Sequence, residues 1–169
     1  MAFLDLAKDR WTCRQYSNRP VEQEKLDAIL EAARIAPTAK DIQPFHIWVV
    51  KDAQARARLD QTTKCLYGAP VALILAGDPA SAYVRMDGKN YADIDASIVG
   101  THIILEAQDQ GLGSTWVGAY DSPKLKELFP ELGDYVDVAL FAIGYPAEGA
   151  QPAPRHTERK PMEQLVTTL

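Results

Sequence analysis

Several familiar signatures are missing from this sequence, and each absence removes a class of function. No GxGxxG follows a β-rich run and no GxxxxGK[ST] occurs, so neither the common dinucleotide fingerprint nor a P-loop applies. No GxSxG is present, which removes the nucleophile-elbow hydrolases. The three histidines, His46, His102 and His156, are scattered, with no HExxH and no i,i+4 pair, so no metal-ligand set is expected. Cysteine is scarce. Cys13 and Cys65 are far apart and in no CxxC pattern, which fits a reducing compartment and a buried or half-buried thiol rather than a disulfide framework. No apolar run approaches the roughly 18 residues that a membrane span needs. Met1–Asp5 lacks the charged, apolar and small succession of a secretion signal, so the cytoplasm is the expected location. Basic excess is lacking too. A formal net charge of -5 argues against a general nucleic-acid binder, which needs a broad cationic face.

What remains is an ordinary globular composition over 169 residues, with 47% hydrophobic and 24% charged, enough for one domain spanning 1–169 with a core of its own. Against the acidic average stand two basic islands. One is Arg10-Trp11-Thr12-Cys13-Arg14-Gln15-Tyr16, and the other is Arg155-His156-Thr157-Glu158-Arg159-Lys160. A guanidinium presents a planar fork of donors that matches phosphate oxygens. The islands therefore read either as two halves of a site for a small phosphorylated ligand or as solvated surface cations.

Periodicity places the islands in a fold. A short helix over Phe3–Asp9 leads into the first arginines. Pro20 opens a helix over Val21–Ile35, with Leu26, Ile29, Leu30 and Ala33 on one face. A proline-bracketed loop, Ala36–Pro44, precedes a strand at Phe45–Val50. A polar helix is expected over Ala53–Lys64 and a central strand over Ala69–Ala76, with Pro70 at its first residue. Asp78–Asn90 reads as a loop, a candidate lid or channel rim. The helix Ile94–Gln110 is apolar nearly all round, which predicts burial in the core or in a subunit interface. His102 within it, and His46 on its strand, are expected to be hydrogen-bonded core or interface residues. A strand at Ser114–Gly118 follows, then a helix from Ser122, its expected N-cap, to Phe129. A strand at Tyr135–Ile143 and an extended Gly/Pro/Ala-rich arm, Gly144–Pro154, deliver the second basic island.

In order, the chain carries an Arg-x-Thr-x-Arg-x-Tyr segment, an Ala-Pro-Thr-Ala-x-x-x-Gln-Pro-Phe loop, a long helix ending in Gly-Leu-Gly-Ser-Thr-Trp-Val-Gly, a strand ending in Gly144-Tyr145-Pro146, and a basic arm closing with Arg159. From about Arg10 to Val166 it resembles the nitroreductase family of FMN-dependent oxidoreductases, in a short, minimal form. The resemblance implies an α+β fold, a mainly antiparallel central sheet flanked by helices. It implies a homodimer with FMN at the subunit interface and an extended C-terminal arm. Arg10, Trp11, Thr12 and Arg14 would meet the phosphate and polar edge of the flavin from one side and Arg159 from the other, with Arg14 nearest N1. Pro37, Thr38, Ala39 and Gln43 would reach the flavin of the partner subunit. Trp116, Val117 and Gly118 would lie beside the ring near N5 and offer backbone N–H groups, although Trp116 alone reads equally as plain core.

The implied activity is ping-pong hydride transfer through flavin N5, from NADH or NADPH to a small acceptor such as a nitroaromatic, a quinone or an enone. No protein nucleophile is required, because the flavin carries the chemistry. Two alternatives stay open: another flavin-dependent reduction or dehydrogenation on the same scaffold, and a non-catalytic flavin-binding protein. The chain departs from the family pattern at Trp11, often a second arginine, at Asp41, often Asn, at Phe45, often Trp, and at Thr157, often Lys. Arg155 and Lys160 are the candidates to replace the lost cations.

Overall fold

Strand β2, Val71–Gly77, is buried along its whole length, and the other elements are arranged around it. The computed structural model describes residues 2–169. Strands β1 (Phe45–Val50), β3 (Gly113–Val117) and β4 (Val136–Gly144) complete an antiparallel sheet in the order β1-β2-β4-β3. Successive side chains of a strand point to opposite faces, and both faces here are covered. Val71, Leu73, Leu75, Phe141 and Ile143 pack with α2 (Gln23–Arg34) and α4 (Ala92–Asp109) on one side. Ala72, Ile74, Leu140 and Ala142 face the opposite layer, with Leu59 of α3 (Ala53–Leu59) and Leu125 of α5 (Ser122–Leu128). Each such Leu, Ile or Phe removed from water contributes about 1.5–3 kcal/mol. This is the α+β architecture expected, with α1 (Phe3–Asp9) leading into it.

The structure corrects the reading at several points. Helix α3 stops at Leu59 rather than Lys64, because Thr62 turns its hydroxyl back onto the Leu59 carbonyl at 2.8 Å. Pro70 lies just before β2, not in it. The N-cap of α5 is Asp121, whose carboxylate accepts from Lys124 N at 3.0 Å, while the Ser122 hydroxyl donates to Asp137 at 2.9 Å. His46 is exposed rather than core and lies against Trp48, with ring centroids 4.4 Å apart. His102 is half-buried, its Nδ1 3.0 Å from the Ile98 carbonyl. Helix α4 buries Ala96, Val99, Gly100, Ile103 and Ala107, but its opposite apolar side, including Ile98, stays open. Cys13 is buried and Cys65 half-buried. No helix among the described residues is long and apolar enough to cross a membrane.

Candidate functional site

After α1 the chain turns extended at Arg10 and runs along the edge of β3. Thr12 bridges to Ser114 in parallel, and Cys13 N donates to the Ser114 carbonyl at 3.0 Å. The Thr115 hydroxyl donates to the Cys13 carbonyl. The Tyr16 hydroxyl lies 2.9 Å from Thr115 Oγ1 and donates to the Ala142 carbonyl at 3.1 Å, and burial pushes that phenol well above its ordinary range. Extended backbone alternates its side chains. Cys13 therefore points inward with 0% exposure, and burial raises its thiol, while Thr12 and Arg14 face outward.

The C-terminal arm approaches the same edge. It leaves β4 at Gly144, where a Cβ would stand 2.5 Å from Pro70 Cδ, so no larger residue fits. Ala147 N donates to the Gln15 carbonyl at 2.9 Å and Ser17 N to the Tyr145 carbonyl at 2.9 Å, which fastens the arm to the N-terminal segment. A single 3-10 turn over Pro154–Thr157 then presents Arg155 and His156, with Arg159 just beyond. Together these segments enclose two adjoining cavities. One, of about 330 Å³, is lined by Arg10, Trp11, Thr12, Arg14, Ala153, Arg155, His156 and Arg159. The other, of about 450 Å³, shares Trp11, Thr12, Arg14 and Ala153 and adds Gln15, Gly149, Ala150 and Gln151.

The electrostatics of the first cavity are one-sided. No carboxylate lines either cavity. Among the described residues, Arg10, Arg14, Arg155 and Arg159 form no ion pair; the pairs that do form, such as Arg19 with Glu22 and Arg34 with Glu31, lie elsewhere. The Arg10 guanidinium is held below its ordinary value, first by burial and then by the charge of Arg159. Cations gathered without a counter-ion match a dianionic phosphate. The two basic islands, distant in sequence, thus line one cavity. Arg155 supplies the additional cation, and neither Thr157 nor Lys160 lines the cavity. His156 and Ala153 were missed by sequence reasoning; adjacency of His156 to Arg155 was the available signal.

Arg14 has a second neighbour. The Tyr67 phenol is raised first by desolvation and next by the Cys65 thiol, and Arg14 opposes that rise. This brings the turn after α3 to the rim of the site, another contact that sequence spacing gave no means to find.

The loop before β1 stands apart, since Pro37, Thr38, Ala39 and Gln43 line neither cavity. Its backbone is unusual: Lys40, Asp41 and Gln43 adopt φ of 55°, 55° and 57°. Non-glycine residues held there cost of order 1–3 kcal/mol each and persist where surrounding contacts over-determine them. Here Gln43 N donates to Thr38 Oγ1 at 2.9 Å and Asp41 N to the Thr38 carbonyl at 3.0 Å. Ala39 N donates at 2.9 Å to Asp95 Oδ1 on α4. Lys40 caps the neighbouring Asp78–Asn90 loop, its Nζ 4.7 Å from the Tyr83 ring centroid.

Trp116 and Val117 pair with Phe141 and Leu140 inside the sheet, and Gly118 is exposed just past the strand end. The Trp116 ring packs edge-on against Phe141, centroids 4.9 Å apart, and over Gly100. Its side chain is therefore half-buried against the core cluster. Only the backbone around Gly118 leaves the ladder.

The fold and the donor set define an α+β protein with an unneutralised cationic cavity at the edge of its sheet. Comparison with known proteins makes this specific. The sequence model of the nitroreductase family matches residues 7–67, and that of the "Putative TM nitroreductase" group matches residues 71–168. The chain is 32% identical to a "Putative NADH dehydrogenase/NAD(P)H nitroreductase" of Methanothermobacter thermautotrophicus, over 88% of this chain and 79% of that protein. Among solved structures, a nitroreductase family protein of Clostridium difficile 630 superposes over 100% of both chains, with TM-score 0.92 and 35% identity. An FMN-dependent nitroreductase of Clostridium difficile R20291 covers 89% of this chain and 90% of its own, with TM-score 0.75 and 28% identity. The chain belongs to the nitroreductase family.

Proposed function

We propose that this protein is an FMN-dependent NAD(P)H oxidoreductase that reduces small acceptors such as nitroaromatics, quinones or enones, and that it works as a homodimer with FMN at the subunit interface. The observation that carries the reading is the convergence of Arg10, Arg14, Arg155 and Arg159 on one cavity without a carboxylate. The flavin phosphate needs such a donor set. The FMN-dependent relative supports the choice of anion. When bound, FMN supplies hydride acceptance and donation at N5.

The chain's own residues bind and orient. Arg10, Arg155 and Arg159 hold the phosphate, with Thr12 adding a hydroxyl. Trp11, which replaces a second arginine, gives the cavity an apolar wall instead of a charge. Arg14, shared by both cavities, is placed to favour negative charge at the flavin N1 edge. Gly118 and the backbone at Trp116 and Val117 are the candidate N–H donors near N5. Pro37, Thr38, Ala39 and Gln43 do not line their own chain's cavity, which is compatible with the role the resemblance implies for them, at the partner's flavin.

Surfaces left open support the dimer. Every residue from Glu158 to Leu169 is exposed, including Met162, Leu165 and Val166, and Phe3, Leu4, Ile35 and Ile98 add apolar area around α1, α2 and α4. Apolar surface of that extent marks an interaction site. Initial-rate kinetics test the mechanism: parallel double-reciprocal lines with NAD(P)H and a quinone are expected, and intersecting lines would exclude a ping-pong order. A mass of one chain by sedimentation would exclude the dimer.

A further inference from the structure

We propose that Asp95 is a positioning residue for the cofactor: from inside the core it fixes the strained Pro37–Gln43 loop, through the Ala39 N–H, in the conformation that meets the flavin. The inference rests on the flavin reading above and extends it to a residue that lines neither cavity.

Asp95 lies in the first turns of α4 and is 1% exposed. One carboxylate oxygen accepts from Ala39 N at 2.9 Å, and the other is buried with no protein partner. A buried carboxyl with a single accepted bond is an expensive arrangement for packing alone, since an apolar residue would fill the space without a polar group to satisfy. The bond it does make goes to the loop in which three non-glycine residues, Lys40, Asp41 and Gln43, are held in an unfavourable backbone region. The bonds from Asp41 N and Gln43 N to Thr38 are internal to the loop and move with it, and its outward ties at Lys40 and Gln43 go to the Tyr83 loop and to the start of β1 rather than to the helix layer. Asp95 joins it to α4, the helix buried against the sheet. Displacing the loop would strip Asp95 of its only donor and leave both oxygens unpaired in the core. The penalty makes the hold two-sided, and the loop is kept pre-formed rather than ordered on binding.

The test uses the full-length protein and the variants Asp95→Ala and Asp95→Asn, the latter retaining an acceptor oxygen at the same place. Amide exchange at Ala39 is read by NMR without flavin, and FMN dissociation constants are read by fluorescence quenching. Asp95→Ala is expected to lower Ala39 protection roughly 10- to 100-fold, the range for losing a hydrogen bond to a charged group, and to raise the FMN dissociation constant by about tenfold or more. Core amides at Leu73 and Leu140 should keep their protection. Asp95→Asn should restore both quantities toward the unsubstituted values. Unchanged Ala39 protection in Asp95→Ala overturns the proposal, as does lost protection with unchanged FMN affinity. If Asp95→Ala loses core protection as well, Asp95→Asn decides: equal loss of FMN affinity with Ala39 still protected overturns the positioning role. Failure of the unsubstituted protein to bind FMN sinks the flavin reading itself, and is recognised because it appears before any substitution.

Discussion

Arg10 and Arg159 come from opposite ends of the chain and face the same cavity, where the charge of Arg159 adds to burial in lowering the affinity of Arg10 for its proton. Two cations held together without a carboxylate oppose each other until an anion arrives. Arg159→Ala is therefore expected to weaken FMN binding by about 1.5–3 kcal/mol, the range for a hydrogen bond to a charged group. It should not lower the melting temperature of the flavin-free protein. Titration by fluorescence quenching, paired with thermal melts with and without FMN, checks both halves. A lower melting temperature without flavin and an unchanged FMN affinity would place Arg159 outside the site.

Arg14 is tied to Tyr67 as well as to the cavity. Because Arg14 opposes the rise of the Tyr67 phenol, Arg14→Ala should push that phenol further up, seen as a later phenolate absorbance in an alkaline titration. The same variant should retain FMN less tightly or accept electrons from NAD(P)H more slowly. A phenol that titrates earlier in the variant would mean that the two side chains are not neighbours in solution.

Gly100 admits the Trp116 ring against α4. A Cβ there would lie 2.5 Å from Trp116 Cζ3 and 2.8 Å from Phe141 Cζ, the first half-buried and the second fully buried in the core. Overpacking costs about 1–3 kcal/mol, against roughly 1 kcal/mol gained by replacing a helical glycine. Gly100→Ala is expected to lose up to about 2 kcal/mol net in urea unfolding, with an altered near-UV circular dichroism signal from Trp116. A stabilising result would show that the ring is free to move.

The acid limb of stability should report on Glu22. The Tyr145 hydroxyl donates to its carboxylate at 2.8 Å and Arg19 Nη2 at 2.7 Å, which together hold its pKa down at about 2, against the usual 4.5. A folded-state value below the unfolded one gives stability that is fully present above pH 4.5 and is lost as pH falls toward 2. Glu22→Gln should therefore be less stable than the unsubstituted protein at neutral pH, by a modest amount because the side chain is 40% exposed. The difference should shrink between pH 4.5 and pH 2. A gap that stays constant across that window would contradict the assignment.

Much of this architecture was legible because local and tertiary preferences agree. The runs Phe3–Asp9 and Phe45–Val50 form a helix and a strand at the bounds their patterns predict. The arginine islands stood out in the sequence against an acidic background, but that they line one cavity depends on how the C-terminal arm returns to the N-terminal segment. What was not legible depended on contacts distant in sequence. Ser122 looked like the cap of α5, but Asp137 from β4 claims its hydroxyl and leaves the cap to Asp121. Trp116 sits in a segment that the resemblance places beside the flavin, yet only the glycine at 100 shows that its ring has room against Phe141 and α4. Asp95 was one carboxylate in an apolar helix, and nothing in its neighbours announces the Ala39 N–H that it accepts. The left-handed turns at Lys40, Asp41 and Gln43 could not be read either, since no glycine marks them.

The most direct test of the central claim is an anaerobic absorbance titration of the FMN-reconstituted protein with NADH and, separately, NADPH. Flavin absorption that bleaches stoichiometrically with at least one of them is the expected result, and oxidation back by a quinone or nitroaromatic should restore it. Retained flavin that neither nucleotide bleaches would contradict an NAD(P)H oxidoreductase and leave a flavin-binding protein, and failure to retain FMN at all would remove the flavin from the site.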